Sequence, residues 1–401
     1  MKRLLSLVIL VACGSSAEPP ARSPQQRTDD SARAVEALRA SKFPVAVKEA
    51  TAALATDPRN AGAAAVRAIA TYQLATHDLV MQLSEVIDAA EDLEYFDHAG
   101  GRLAWQHWLD KLAGIDRDLA VVAADPTFSL ELCLACWSFD WNRNGRVDER
   151  DGRMLELEYD GKGDEIPEGD PRRRPTFRFD VGDADWARAM ISFQRAFGEL
   201  VLAYRWSELD KVFGMKEPKV TIKLDDKARV QRARELVLAG LGYADRCRAA
   251  YLAETDDDRE WVPNPKQQNH PIPLAVDAKL YETWAGVTGD VRRMLASEEG
   301  VSLKEVANLI DDDLGALAPD AFVDFGAMLS SPKDFAVDFS RVPNKPDPAA
   351  IEGLAKELLG NGYKKAMKPS PLVGRLRAMK QDLVRGEDTF ERKLRYLFWL
   401  N

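Results

Sequence analysis

Apolar residues recur at steps of three and four along most of this chain. Trp186, Met190, Phe193, Phe197, Leu200 and Tyr204 form one such series after Asp185, which is the apolar stripe of a helix. Val230, Ala233, Val237, Leu241, Ala244 and Cys247 repeat it within 227–253, and similar stripes run through 79–94, 102–122, 275–296 and 373–400. Two-residue alternation, the mark of a half-buried strand, is scarce. Lys219 to Leu224 (KVTIKL) is the best short strand and stands isolated. Polar segments bearing Pro or Gly separate the helices at 160–178, 254–273 and 341–348, and each reads as a hinge or domain edge. The pattern predicts an all-α fold, with helical hairpins around one or two cores.

Near the start, Phe43, Ala46, Val47, Ala50, Ala53 and Leu54 precede Asp57-Pro58, with Ala34, Val35 and Leu38 on the helix before. Small residues at this spacing let two helices pack closely, and the proline stops the second. The segment resembles a tetratricopeptide repeat, with Asn60 to Leu74 beginning a second one. One and a half repeats make no extended concave surface, so packing against the rest of the helical body is expected.

The first residues read as a leader. Lys2 and Arg3 precede Leu4–Ala12, a run interrupted only by Ser6. As a helix it would extend about 13 Å, against about 30 Å of hydrocarbon core, so a cleaved targeting segment fits better than a membrane span. Leu10-Val11-Ala12-Cys13 resembles the bacterial lipobox. That resemblance implies lipidation of Cys13 as the mature N-terminus, and the following Gly14, where Asp would retain the protein at the inner membrane, implies outer-membrane sorting. Residues 14–30, with three prolines and no large apolar side chain, read as a flexible tether. The expected segments are a signal peptide at 1–12, the lipidated Cys and tether at 13–30, a repeat-like helical region at 31–126, a helical region with a metal loop at 127–215, and a C-terminal helical region at 216–401.

The net charge is −10 before the leader's two cations are removed, which gives no electrostatic reason to seek nucleic acid. Beyond Cys13 there are three cysteines, Cys133, Cys136 and Cys247, so at most one intrachain disulfide can form. Cys133-Leu134-Ala135-Cys136 lies in an expected helix and reads as buried core cysteines, with a bond from either to Cys247 left open.

One segment carries a sharp chemical pattern. In Asp140-Trp141-Asn142-Arg143-Asn144-Gly145-Arg146-Val147-Asp148-Glu149-Arg150-Asp151, oxygen-bearing side chains fall at loop positions 1, 3, 5, 9 and 12. Gly145 sits at position 6, where the chain must turn sharply. Calcium takes six to eight oxygens at about 2.3–2.6 Å, and this spacing wraps them around one point. The expected ligands are Asp140, Asn142, Asn144, Arg146 through its carbonyl, Asp148 and Asp151. Val147 should point into the core, Leu132, Ala135, Cys136 and Phe139 should face inward from an entering helix, and Met154, Leu155 and Leu157 should pack on an exiting one. The segment resembles an EF-hand loop, most closely the dockerin type. Asp151 in place of the longer Glu, together with Arg143, Arg146 and Arg150, implies weak affinity, with a dissociation constant of about 10⁻⁴–10⁻³ M. A partner loop at Asp160–Glu165 lacks Gly at position 6 and should be metal-free, and Asp180, Asp183 and Asp185 read as helix caps.

The histidines, His77, His98, His107 and His270, form no close pair, and no nucleophile elbow or phosphate-binding Gly-Lys loop occurs. Asp256–Asp258, Asp311–Asp313 and the Arg172–Arg174 run read as solvated. The apolar tail Tyr396–Leu400 should dock on the body or on a partner. The function expected is a non-enzymatic calcium-binding envelope lipoprotein, structural or protein-binding, held to the membrane by lipid on Cys13. One alternative is a hydrolase of envelope polymers using carboxylates of the acidic loops. Another is a dockerin-like docking module, which needs apolar exposed faces on the loop helices.

Overall fold

The computed structural model describes residues 24–88, 97–140, 144–148, 151, 156–160, 164–205, 207, 219–257, 259–270, 276–310, 312–338 and 347–384. Cys13, Asn142, Met154, Leu155 and the tail at 396–400 lie outside them. The described chain is mostly helical, with small antiparallel sheets, as the apolar periodicity requires.

Three helices open the fold: α1 (Pro24–Arg39), α2 (Phe43–Thr56) and α3 (Ala61–Asp88). Pro44 sits at the start of α2, where its missing N–H costs nothing. The Asn60 carboxamide accepts the Ala63 N–H at 2.9 Å and starts α3. Phe43, Ala46 and Ala50 are wholly buried against Leu38, Ala63, Ala64 and Val66, so small side chains allow close helix approach. The expected second repeat does not turn at Leu74. α3 runs on to Asp88 and pairs instead with α4 (His98–Ala123), because Ala75 and Leu79 find Trp108, Leu112 and Ile115.

Behind α4 stand α5 (Val181–Ala203) and α6 (Lys227–Ala253). α5 packs against both neighbours, which changes its burial from the single stripe read in the sequence. Ala184, Ala189, Ile191, Ala196 and Leu202 are buried, whereas Phe197 is 57% exposed. A Cβ added to Gly198 would lie 2.6 Å from Leu109 of α4, and one added to Gly240 of α6 would lie 2.6 Å from the Phe193 ring. These positions mark how closely the layers approach. On α6 the sequence stripe is the buried face, with Val230, Ala233, Leu241, Ala244 and Cys247 inside. The expected segments 31–126, 127–215 and 216–401 are joined by this α4–α5–α6 packing.

The stretch before the metal loop is not helical. Leu130–Leu132 is a strand, β1, paired antiparallel with β2 (Phe177–Phe179), and a 3-10 turn follows at Leu134–Cys136. The strand partner begins within the last two residues of the segment expected to be a loop, 160–178. Pairing with a strand 45 residues on overrides the helical spacing of Leu132, Ala135, Cys136 and Phe139. β3 (Lys219–Ile222) is likewise not isolated.

The C-terminal part starts with α7 (Ala278–Leu295). After it come β4 (Val301–Ser302), α8 (Leu303–Ile310), α9 (Asp312–Leu317), β5 (Phe322–Val323) and α10 (Phe325–Ser330). β6 (Phe335–Asp338), α11 (Pro348–Leu359), β7 (Tyr363–Lys364) and α12 (Leu372–Val384) complete it. β6 supplies the partner of β3, and β4, β5 and β7 form a small antiparallel sheet over Met294, Val301, Val323 and Val373. Asp290, wholly buried on α7, is paired with Arg293 and with Arg375 of α12 at 2.9 Å.

Candidate functional site

Asp140 organises the loop expected to bind calcium. Its Oδ1 accepts the Asn144 N–H at 3.0 Å and its Oδ2 accepts the Gly145 N–H at 2.8 Å. Gly145 has φ +80 with open space around it, a conformation costly for any side chain. The Asn144 carboxamide accepts the Arg146 N–H at 2.9 Å and donates to Asp148 Oδ2 at 2.9 Å. At the far end the Asp151 carboxylate accepts the Asp148 N–H at 2.8 Å. The described part of the loop is thus wound around its first and last carboxylates, both buried, while Asn144, Arg146 and Asp148 are exposed. Asp140, Asp148 and Asp151 do not bring their carboxylate oxygens together within 4.8 Å as a trio. Asn142 lies outside the described residues.

The frame around the loop differs from the expected helix pair. Aromatic side chains anchor its entry: Phe139 and Trp137 meet the Phe43 ring edge-on at 4.9 and 5.4 Å between centroids. His77 of α3 brings Nε2 to 3.7 Å from Asp140 Oδ2, a contact with no local signal in the sequence. Val147 is 56% exposed and does not point into the core. Leu157 is buried, but on non-helical backbone whose N–H reaches the Arg173 carbonyl at 2.9 Å. Asp160 and Asp164 close on each other, with Asp164 N–H donating to Asp160 Oδ1 at 3.1 Å.

The cysteine expectation is corrected. Cys133 and Cys136 are joined to each other, and Cys136 is exposed rather than buried. Cys247 is the buried free thiol, and burial pushes it far above the ordinary thiol range.

A second constellation emerges where α5 begins. Asp180 caps the helix, its Oδ1 accepting the Gly182 N–H at 2.7 Å, and Asp183 returns the bond by accepting the Asp180 N–H at 2.8 Å. This reciprocal box satisfies two orphan donors. Asp185 is held by Arg246 at 2.8 and 3.0 Å. The chain after α6 then brings Glu254 and Glu260 to Asp180, so that the three carboxylates offer oxygens within 4.8 Å of one another. Asp183 lies behind them and accepts the Tyr251 hydroxyl at 2.7 Å. Burial, followed by the charge of Asp180, pushes Asp183 up to about 8, and the same two causes push Glu254 up to about 8. Arg178 offers the nearby cation, 3.8 Å from Glu260 and paired with Asp256. Chemically, such a group either shares protons or accepts one hard cation. Asp180 and Asp183 are the caps that their pattern suggests. Glu254, Glu260 and Tyr251 were missed, because 254–273 reads as a polar loop with Asp256–Asp258 solvated, and nothing local brings it to Asp180.

Family models, characterised proteins and solved structures give no match to this chain. Among the described residues, no helix is long and apolar enough to cross a membrane.

Proposed function

We propose that this protein is a calcium-binding envelope lipoprotein, held to the outer membrane by lipid on Cys13 and serving a structural or protein-binding role. The observation that carries the calcium reading is the double acceptance of N–H groups by Asp140, with Asp151 closing the loop from its other end. Each carboxylate oxygen keeps lone pairs for a cation, and the Gly145 turn is already made. Asp140, Asn144, Asp148 and Asp151, with Asn142 and the Arg146 carbonyl, would hold the ion, whose charge would bind the two ends of the loop together, while His77 links Asp140 to α3. The lipid reading rests on the leader and on Cys13.

The test is thermal melting of the Cys13→Ser protein in chelator and in 10 mM calcium. With a dissociation constant of about 10⁻⁴–10⁻³ M, linkage gives about 1.4–2.7 kcal/mol and a rise of about 2–4 °C for a chain of this size. Asp148→Asn, which removes one charge at an exposed position, should abolish the rise without lowering the chelator value. An unchanged melting temperature in the parent protein refutes calcium binding. Labelling by a palmitate analogue in cells should vanish in Cys13→Ser.

A second reading, an envelope-polymer hydrolase, is favoured by Glu254. A carboxyl holding its proton to about 8 beside Asp180 and Glu260 has the character of a general acid next to a base. Glu254→Gln should then abolish release of soluble fragments from isolated envelope polymer, and equal release by both proteins would dismiss this reading.

A further inference from the structure

The bond between Cys133 and Cys136 is poorly placed to be a staple. A disulfide stabilises largely by restricting the unfolded chain, and the gain grows with the loop it closes. This one joins residues three apart. Nor does the turn depend on it. Cys136 N–H donates to the Cys133 carbonyl at 3.1 Å, and Trp137 N–H to the Leu134 carbonyl at 3.2 Å. Leu132, Ala135 and Trp137 are buried on either side of the sulfurs. β1 is pinned by its ladder to β2 and by Arg39, whose guanidinium donates to the Glu131 carbonyl at 3.0 Å. Two thiols here would therefore stay side by side, with their Cα atoms held near 5.3 Å.

The two residues also differ in exposure. Cys136 is exposed and Cys133 is partly covered, with its sulfur 3.5 Å from the Arg174 carbonyl. A disulfide sulfur has no proton to donate to that oxygen, but a thiol has. The carbonyl is thus an acceptor that serves only the reduced state. Cys247, the remaining described cysteine, is fully buried with its thiol pushed far up, so it cannot interfere by exchange.

We propose that Cys133–Cys136 is a reversible thiol–disulfide exchange site that takes electrons from a dithiol. The incoming thiolate attacks the exposed Cys136 sulfur, and the Cys133–Cys136 bond breaks. Cys133 leaves with the electron pair, takes up a proton and donates it in a hydrogen bond to the Arg174 carbonyl. The second thiol of the reductant then attacks its own sulfur in the mixed disulfide and releases Cys136. Two electrons and two protons pass to the pair, and the dithiol becomes a disulfide. Because exposed disulfides are the exchangeable ones, the turn combines access with a preorganised reduced form.

The test uses the full chain carrying Cys13→Ser, with dithiothreitol as the dithiol. After native incubation in about 1 mM reagent and maleimide labelling, intact mass should show two labels within minutes, with a third only after denaturation. Cys133→Ser, which leaves the exposed Cys136, should form a mixed disulfide with oxidised glutathione roughly tenfold faster than Cys136→Ser. The double variant should fold and melt within a few degrees of the parent. A pair that stays oxidised for hours in the folded protein, or a double variant that does not fold, would overturn the proposal and make the bond a staple. Equal rates for the two single variants would overturn the assignment of Cys136 as the attacked sulfur. None of these measurements involves calcium, so their outcome is separate from that of the melting test.

Discussion

Replacing Asp183 by Asn should change how stability depends on pH. Asp183 is 7% exposed and receives the Tyr251 hydroxyl and the Asp180 N–H. Asp180 faces it from the helix cap, Tyr251 and Cys247 from α6, Tyr281 from α7, and Glu254 and Glu260 from the chain after α6. The groups that shift its titration include no cation; Arg246 is committed to Asp185, and Arg178 to Asp256 and Glu260. Burial therefore wins, and the carboxyl is held up at about 8, against about 3.9 in an unfolded chain. Between those values the folded protein keeps a proton that the unfolded chain has released. The resulting stability is fully present below about pH 4 and is lost as pH rises towards 8. Inside that window each pH unit removes about 1.4 kcal/mol, or roughly 3 kcal/mol from pH 5 to pH 7. Carboxylates held low by cations, such as Asp256 and Glu352, act in the opposite sense but below about pH 4.5, outside the interval. Urea unfolding of parent and Asp183→Asn at pH 5, 6 and 7 reads the effect directly. Asn has no proton to lose and still offers an oxygen to Tyr251, so the difference in stability should move in its favour by roughly 3 kcal/mol across the interval. A constant difference would mean that Asp183 is ionised inside the folded protein at neutral pH, and the desolvation argument would fail.

Further outcomes follow from packing and backbone. Phe43→Ala removes a wholly buried ring that touches Trp137 and Phe139, and should cost about 3–5 kcal/mol by denaturant unfolding. Gly145→Ala meets no atom within 4 Å, so its cost should be that of the left-handed backbone alone, about 1–2 kcal/mol measured in chelator. Asp290→Asn leaves Arg375 without its buried counter-charge, while Arg293 keeps Glu299 at 2.9 Å, and should lower stability by about 1–3 kcal/mol. A loss under 1 kcal/mol there would show that solvent compensates Arg375.

Much of the helical frame was legible in the sequence because it depends on local spacing. The stripe from Val230 to Cys247 is the buried face of α6, since that helix meets α5 along one side for most of its length. The stripe from Trp186 to Tyr204 marked the helix but not its most buried face, because α5 is pressed between two helices and small residues such as Ala184, Ala189 and Ala196 take its inner positions. The Asp140–Asp151 pattern was readable for the same local reason: a turn with Gly145 at its bend brings carboxylates back to nearby N–H groups. Its surroundings were not readable, since β1 forms only by pairing with Phe177–Phe179.

By itself the sequence determined that most of the chain is helical, and it carries the basic-then-apolar residues before Cys13 and the oxygen spacing of the loop. Tertiary structure alone decided that Cys133 bonds Cys136 at the surface while Cys247 stays sealed. It also decided that Asp180, Glu254 and Glu260 converge from positions up to 80 residues apart. Periodicity and turn chemistry act over a few neighbouring residues, whereas burial, and the proton affinity it confers on a carboxyl, depend on what the rest of the chain brings to that point.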